Sequence, residues 1–93
     1  MIFEWDEVKR ARNLDKHGFD FLDAMLIFDG PTVERVDHRW YYGETRVVAL
    51  GEVDGVIMCV VYTPRGEALR LISARKASKH ERQAYHARIA QPD

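Results

Sequence analysis

The chain has 93 residues, of which 46% are hydrophobic and 31% are charged, and it contains a single cysteine. This length closes one modest core and is too short for two lobes around a deep cofactor cleft, so residues 1–93 are expected to form one domain. Cys59 alone cannot form an intramolecular disulfide, the first residues carry charge where a secretion signal is apolar, and no apolar run approaches the roughly eighteen residues of a membrane span. We therefore expect a cytoplasmic protein that does not enter a membrane.

The net charge of −1 conceals an uneven distribution along the chain. Residues 1–64 hold seven Lys/Arg against twelve Asp/Glu, a net of −5, whereas residues 65–93 hold seven against three, a net of +4. This asymmetry suggests a basic face for a polyanion and an acidic face elsewhere. A solvated run of charges produces the same bias and is the alternative explanation.

Two short helices are predicted at the N-terminus. Asp6 is placed to cap the first helix, and Gly18 suits the left-handed residue at its end. Apolar residues at helical spacing give this helix a thin stripe formed by Trp5, Val8, Ala11 and Leu14. Asp20 caps a second helix over residues 21–28, before the Gly-Pro pair at 30–31 ends the pattern.

After this pair the period of the apolar residues changes to two, as in β-strands. The alternating runs predict four antiparallel strands joined as a meander, over residues 32–38, 44–53, 56–63 and 68–77. The third run is apolar on both faces and is expected at the centre of the sheet, whereas the first carries the charges typical of an edge strand.

A C-terminal helix is predicted from Ser78 and Glu81, which are spaced as a capping box. The order of the elements predicts an α+β fold with two N-terminal helices, a four-stranded antiparallel sheet and this C-terminal helix. The helices are expected to cover the sheet.

The last predicted strand becomes cationic toward its end. Regular alternation divides its residues between two faces, with Leu69, Leu71, Ser73 and Arg75 on one and Arg70, Ile72, Ala74 and Lys76 on the other. A hairpin could bring Arg65 near Arg70 or Arg75, depending on the strand register. Grouped guanidinium groups can hold a phosphodiester and stabilise its transition state. Taken singly, each arginine has surface salt bridges as its alternative role.

Lys16 and His17 form a second candidate group at the end of the first helix. Cations are favoured at a helix C-terminus by the macrodipole, which is a purely structural explanation. The functional explanation is that Lys16 pairs with phosphate, while His17 exchanges a proton with a ribose 2′-OH or a leaving 5′-oxygen.

No metal or other cofactor is expected. His80 and His86 are six residues apart and therefore lie on different sides of a helix, while His17 and His38 have no second ligand at suitable spacing. Cys59, in an apolar strand, is typical of an inert core thiol. The aromatic run at residues 40–42 could stack on bases or supply packing.

Four segments in order resemble the BrnT family of type II toxin–antitoxin systems: FEWDEVKRARNLDKHG, YGETRVVALG, VVYTPRG and LISARKASKHERQAY. The resemblance implies a RelE-like ribonuclease fold. Because no metal ligands occur at suitable spacing, we expect this ribonuclease to cut RNA without a metal and so to inhibit translation. It also implies neutralisation by a BrnA-type antitoxin, with operator DNA bound only through that antitoxin. A module of the same fold that only binds an antitoxin or a nucleic acid is the alternative.

The resemblance and the charge pattern together give the expected site. Its catalytic candidates are Lys16, His17, Glu44, Arg46, Arg65 and Arg75, with either His17 or Glu44 as the proton acceptor. Its expected substrate-binding residues are Ser73, Lys76 and Tyr85.

Overall fold

The computed structural model describes residues 1–39 and 43–90. In chain order its elements are β1 (Ile2–Glu4), α1 (Glu7–His17), α2 (Phe21–Ala24), a 3₁₀ helix (Met25–Asp29), β2 (Val33–Val36), β3 (Val47–Val53), β4 (Val56–Arg65), β5 (Ala68–Lys76) and α3 (Lys79–Ile89). Within the described ranges, no helix combines the length and the apolar composition of a membrane span. The predicted α+β class is confirmed.

The sheet has five strands within the described residues, in the order β1-β5-β4-β3-β2, and it is mixed. The prediction of four antiparallel strands is wrong by one strand, because Ile2–Glu4 pairs in parallel with residues 68–70 of β5. A strand of three residues is too short to show alternation in the sequence. The other four strands pair antiparallel, with β4 at the centre and β2 at an edge as predicted.

The predicted caps of the first and C-terminal helices are confirmed. Asp6 accepts hydrogen bonds from the backbone of the first turn of α1, and Gly18 ends that helix with a φ of 76°. Ser78 and Glu81 form the reciprocal capping box of α3. The second predicted helix is shorter than expected, because α2 ends at Ala24 and the chain continues as the 3₁₀ helix.

Each face of the sheet carries a core. On the first face, α2 and the 3₁₀ helix pack on the strands through a cluster formed by Phe21, Ala24, Ile27, Ala49, Met58, Val60, Tyr62, Leu71 and Ala74. On the second face, α3 covers a smaller cluster formed by Val48, Leu50, Ile57, Cys59, Ala77 and Tyr85. The second face continues beyond α3 as a polar surface, which carries the residues of interest for function.

Helix α1 is held at the sheet edge by polar contacts. Three residues of the predicted apolar stripe are exposed, since Val8 is 58% and Leu14 is 45% exposed and Ala11 lies between them. Trp5, the fourth, packs against the first core. Asn13 is buried instead, and its amide donates to the carbonyl of Ala74 at 2.8 Å and accepts from the N–H of Ala74 at 3.0 Å. A third hydrogen bond, to the carbonyl of Phe19, completes this attachment.

The alternation predicted for β5 is wrong beyond Leu71. The register shifts by one residue there, so that Tyr62 pairs with Leu71 and Val61 pairs with Ser73, leaving Ile72 as a bulge. A bulge changes which face the following residues occupy. Arg70, Ser73 and Arg75 therefore share the second face.

Candidate active site

A shallow groove lies between α1 and the second face of the sheet. Its volume is about 310 Å³, and its lining consists of Lys9, Arg12, Asn13, Lys16, His17, Arg46, Ile72 and Ser73. We call it the α1 groove. Apart from Asn13, Ile72 and Ser73, every residue of this lining carries a basic side chain.

One side of α1 supplies most of these basic groups. Lys9, Arg12 and Lys16 are three and four residues apart, the spacing that aligns side chains on one helix face. Arg10 is engaged elsewhere, because its guanidinium pairs with Asp20 at 2.7 Å and with Glu7 at 3.2 Å. The Arg10 hydrogen bonds lower the pKa of the Asp20 carboxyl to about 2.

Arg46 approaches the groove from the start of β3, and Glu44 lies beside it. The Glu44 carboxylate accepts a hydrogen bond from the Thr63 hydroxyl at 3.0 Å and another from Nε of Arg46 at 3.4 Å. The hydrogen bond from Thr63, followed by the contact with Arg46, lowers the pKa of Glu44 below its ordinary value. Glu44 is therefore an ionised carboxylate at neutral pH, next to a cation that can face a phosphate.

Arg70 and Arg65 continue this polar surface toward β1. The register places Thr63 opposite Arg70, and Arg70 opposite Glu4. Arg65 and Arg70 each approach the Glu4 carboxylate at 3.7 Å, which is a loose ion pair. Both guanidinium groups can therefore exchange this partner for an incoming anion at small cost.

Arg75 lies farther along the same face and has a strong partner. Its guanidinium donates two hydrogen bonds to Glu81 of α3, at 2.7 and 2.9 Å. Arg75 in turn lowers the pKa of Glu81 to about 2. In this conformation Arg75 joins β5 to α3 and does not line the α1 groove.

The remaining expected residues lie away from the groove. Lys76 follows Arg75 on β5 and is exposed on the opposite face. Tyr85 is 4% exposed and packs in the core under α3, where its hydroxyl donates to the carbonyl of Pro31 at 3.2 Å. The aromatic run Trp40, Tyr41 and Tyr42 lies outside the described residues.

The structure thus brings together part of the expected set. Lys16, His17, Arg46 and Ser73 share the α1 groove, and Glu44 is linked to it through Arg46. Arg65 and Arg75 occupy the same sheet face on either side of this group. Sequence reasoning missed Lys9 and Arg12, although their spacing from Lys16 was a visible signal.

The described residues contain no group of three or more His, Cys, Asp or Glu side chains that could hold a metal ion. Burial raises the pKa of the Cys59 thiol to about 11, so this side chain is protonated at neutral pH.

Comparisons with known proteins identify the family of this chain. The family model described as ribonuclease toxin, BrnT, of type II toxin–antitoxin system matches residues 5–81. The crystal structure at 1.1 Å resolution of the Brucella abortus ribonuclease toxin BrnT is similar, with a TM-score of 0.64 and 37% sequence identity over 85% of this chain and 100% of that one. No curated protein matches the chain significantly. A toxin of a type II module has an antitoxin as its partner. The chain belongs to the BrnT family of ribonuclease toxins of type II toxin–antitoxin systems.

Proposed function

We propose that this chain is a metal-independent endoribonuclease whose reaction centre lies at the α1 groove. One observation carries the proposal: Arg46, Lys16, His17 and Ser73 converge on one groove, with the Glu44 carboxylate hydrogen-bonded to Arg46. Cations that hold a phosphodiester thus lie near two groups that can accept a proton.

The proposed reaction uses the RNA as its own nucleophile. The ribose 2′-oxygen bonds to the adjacent phosphorus and gives its proton to a base of the protein. The bond from phosphorus to the 5′-oxygen breaks, and that oxygen takes up a proton from the protonated base or from solvent. The products are a 2′,3′-cyclic phosphate and a 5′-hydroxyl, so atoms and charge balance without added water or metal.

The residues divide this work by position. Arg46 and Lys16 face the phosphate and stabilise the charge that develops on its oxygens, and the Ser73 hydroxyl donates to it. Glu44 is the first choice as base because Thr63 and Arg46 keep it ionised, and His17 is the second choice.

The other expected residues have different roles in the proposed reaction. Arg65 and Arg75 contact phosphates on either side of the scissile one. Lys76 and Tyr85 are left out of the centre, since one lies on the opposite face and the other is buried.

The proposal includes the biological setting of the activity. Cleavage of cytoplasmic RNA inhibits translation, and a BrnA-type antitoxin blocks the groove. That antitoxin carries the DNA-binding domain, so the toxin reaches operator DNA only within the complex. Family membership supports this setting.

The direct test is cleavage of RNA by the purified chain in EDTA, with free RNA and with translating ribosomes as separate substrates. We expect cleavage products that end in a 2′,3′-cyclic phosphate, and no cleavage where the scissile ribose lacks its 2′-OH. Arg46→Ala should lower kcat/KM by about 100- to 1,000-fold, the usual cost of losing one oxyanion-stabilising donor. Arg88→Ala, which removes an exposed cation of α3 away from the groove, is the matched control.

Two outcomes would contradict the proposal. Cleavage that appears only when Mg²⁺ is added would refute metal independence. Binding of both substrates with no cleavage of either would favour the alternative, a module that binds its antitoxin or a nucleic acid without catalysis.

A further inference from the structure

Lys9 and Arg12 are cations of the α1 groove that the reaction does not use. Each is exposed, and neither forms an ion pair with a residue in the described part of the chain. Arg10, between them in sequence, is held by Asp20 and Glu7 on the other side of the helix. Among the described residues, the groove side of α1 therefore carries two cations that no carboxylate holds in an ion pair.

The spacing of these cations matches an extended anion. With Lys16, they form a line on one helix face that is about 10 Å long at 1.5 Å per residue. Arg46 and Ser73 lie across the groove from this line. A single phosphate would occupy one position along it, whereas a polyanion would occupy several.

The anchoring of α1 makes this line a fixed surface. Asn13 projects from the same helix and hydrogen-bonds the backbone of Ala74 through both of its amide atoms. Because the contact involves backbone atoms of β5, it fixes the separation between the cations of α1 and Ser73, which precedes Ala74 on that strand. A fixed line of cations can bind an extended polyanion that lies along α1 and continues beyond the reaction centre.

We propose that Lys9 and Arg12 bind the sugar–phosphate backbone of a single-stranded RNA, beside the scissile phosphate. This inference rests on the proposed function and adds a binding segment to it. A single strand is the expected form, since in-line attack by the 2′-oxygen needs a backbone that can leave the A-form geometry. These contacts position the strand and carry no base specificity.

The test measures binding separately from cleavage. A fluorescent, fully 2′-O-methylated RNA oligonucleotide, which cannot be cleaved through its 2′-oxygen, is titrated with the protein at several salt concentrations. Each phosphate contact on a single strand contributes about 0.7 to the slope of log Kd against log salt. The double variant Lys9→Gln/Arg12→Gln should therefore lower that slope by about 1.4.

The matched control is Lys79→Gln/Arg88→Gln, which removes two exposed cations from α3, away from the groove. It changes the net charge equally and should leave the slope unchanged. On cleavable RNA, the α1 variant should raise KM with kcat kept. A slope equal to that of the unmodified protein, or an equal loss in both double variants, would overturn the inference. Absence of cleavage with the expected slope change would instead refute the proposed function alone.

Discussion

At the level of single residues, Glu44, the proposed base, is held in its ionised form by two neighbouring side chains. Thr63 is 3% exposed and its hydroxyl donates a hydrogen bond to Glu44, and Nε of Arg46 donates a second one. Both contacts stabilise the ionised form, so the pKa of Glu44 lies below its ordinary value of 4.5. The carboxylate remains an acceptor over the whole physiological range.

This environment predicts the acid side of the pH–rate profile. With Glu44 as base, the rate should stay constant down to about pH 5 and fall only below the ordinary carboxyl range, because the folded pKa is lowered. Glu44→Gln should lower kcat by about 100-fold or more. A full rate in Glu44→Gln, together with a large loss in His17→Gln, would instead assign the base to His17.

The faces of β5 show which side-chain positions could not be predicted from the sequence. Alternation along β5 correctly indicated a cationic strand, but the bulge at Ile72 reverses the phase. Nothing in the local amino-acid sequence indicates that bulge, because it depends on the pairing of β5 with β4. The grouping of Arg70 with Ser73 and Arg75 therefore required coordinates.

At the level of elements, the 3₁₀ helix and β3 are packed so closely that one position admits only glycine. A Cβ at Gly51 would lie 2.6 Å from the Cβ of Ile27, which is itself fully buried. The 3₁₀ helix can therefore lie directly on the sheet and close the first core.

Gly51→Ala should destabilise the protein by about 1–3 kcal/mol, the usual cost of overpacking a core. Gly30→Ala is the matched control, since nothing lies within 4 Å of its added Cβ and its φ is −124°. The free energies of unfolding in urea give the comparison. Equal stability of the two variants would show that the helix can move away from β3.

Helix α3 is joined to the sheet by an ion pair that depends on pH. The pKa of Glu81 is lowered from 4.5 to about 2, first by its hydrogen bonds with Arg75. A lowered carboxyl pKa stabilises the fold above the unfolded value, and this contribution is lost as the pH falls toward 2. Glu81 also serves the capping box, so α3 loses two restraints together in acid.

Glu81→Gln should therefore be less stable than the unmodified protein by about 1–2 kcal/mol at pH 7, after allowance for partial exposure. The difference should shrink between about pH 4.5 and pH 2. Thermal unfolding across this range provides the measurement, and Glu67→Gln, at an exposed turn position, is the control. A difference that persists at pH 2 would contradict the assignment.

At the level of the whole molecule, charge is distributed differently in space than along the chain. The C-terminal segment was expected to supply the basic face, yet Lys9, Arg12, Lys16 and Arg46 all come from the segment with a net of −5. Acidic side chains of that segment are partly used in caps and ion pairs, such as Asp6 and Asp20.

The α+β class, the central strand and the caps could be predicted, because local patterns determine them. The α1 groove could not be predicted, because it depends on tertiary packing.

The intact toxin should arrest bacterial growth when expressed without its antitoxin. Arg46→Ala should be tolerated, because the groove loses the cation nearest to Glu44. Arg88→Ala should still arrest growth, and co-expression of the partner should restore it. Growth curves with immunoblots at matched expression are the measurement, and normal growth with the unmodified chain would contradict the toxin assignment.

The two hydrogen bonds between Asn13 and Ala74 also make the attachment of α1 observable in solution. An amide at the rim of a sheet ordinarily exchanges its proton with solvent quickly, whereas the N–H of Ala74 is covered by a side chain from the helix. Its deuterium uptake therefore records how often α1 lifts away. A ligand seated between α1 and β5 would slow that uptake at one backbone position without needing to touch it.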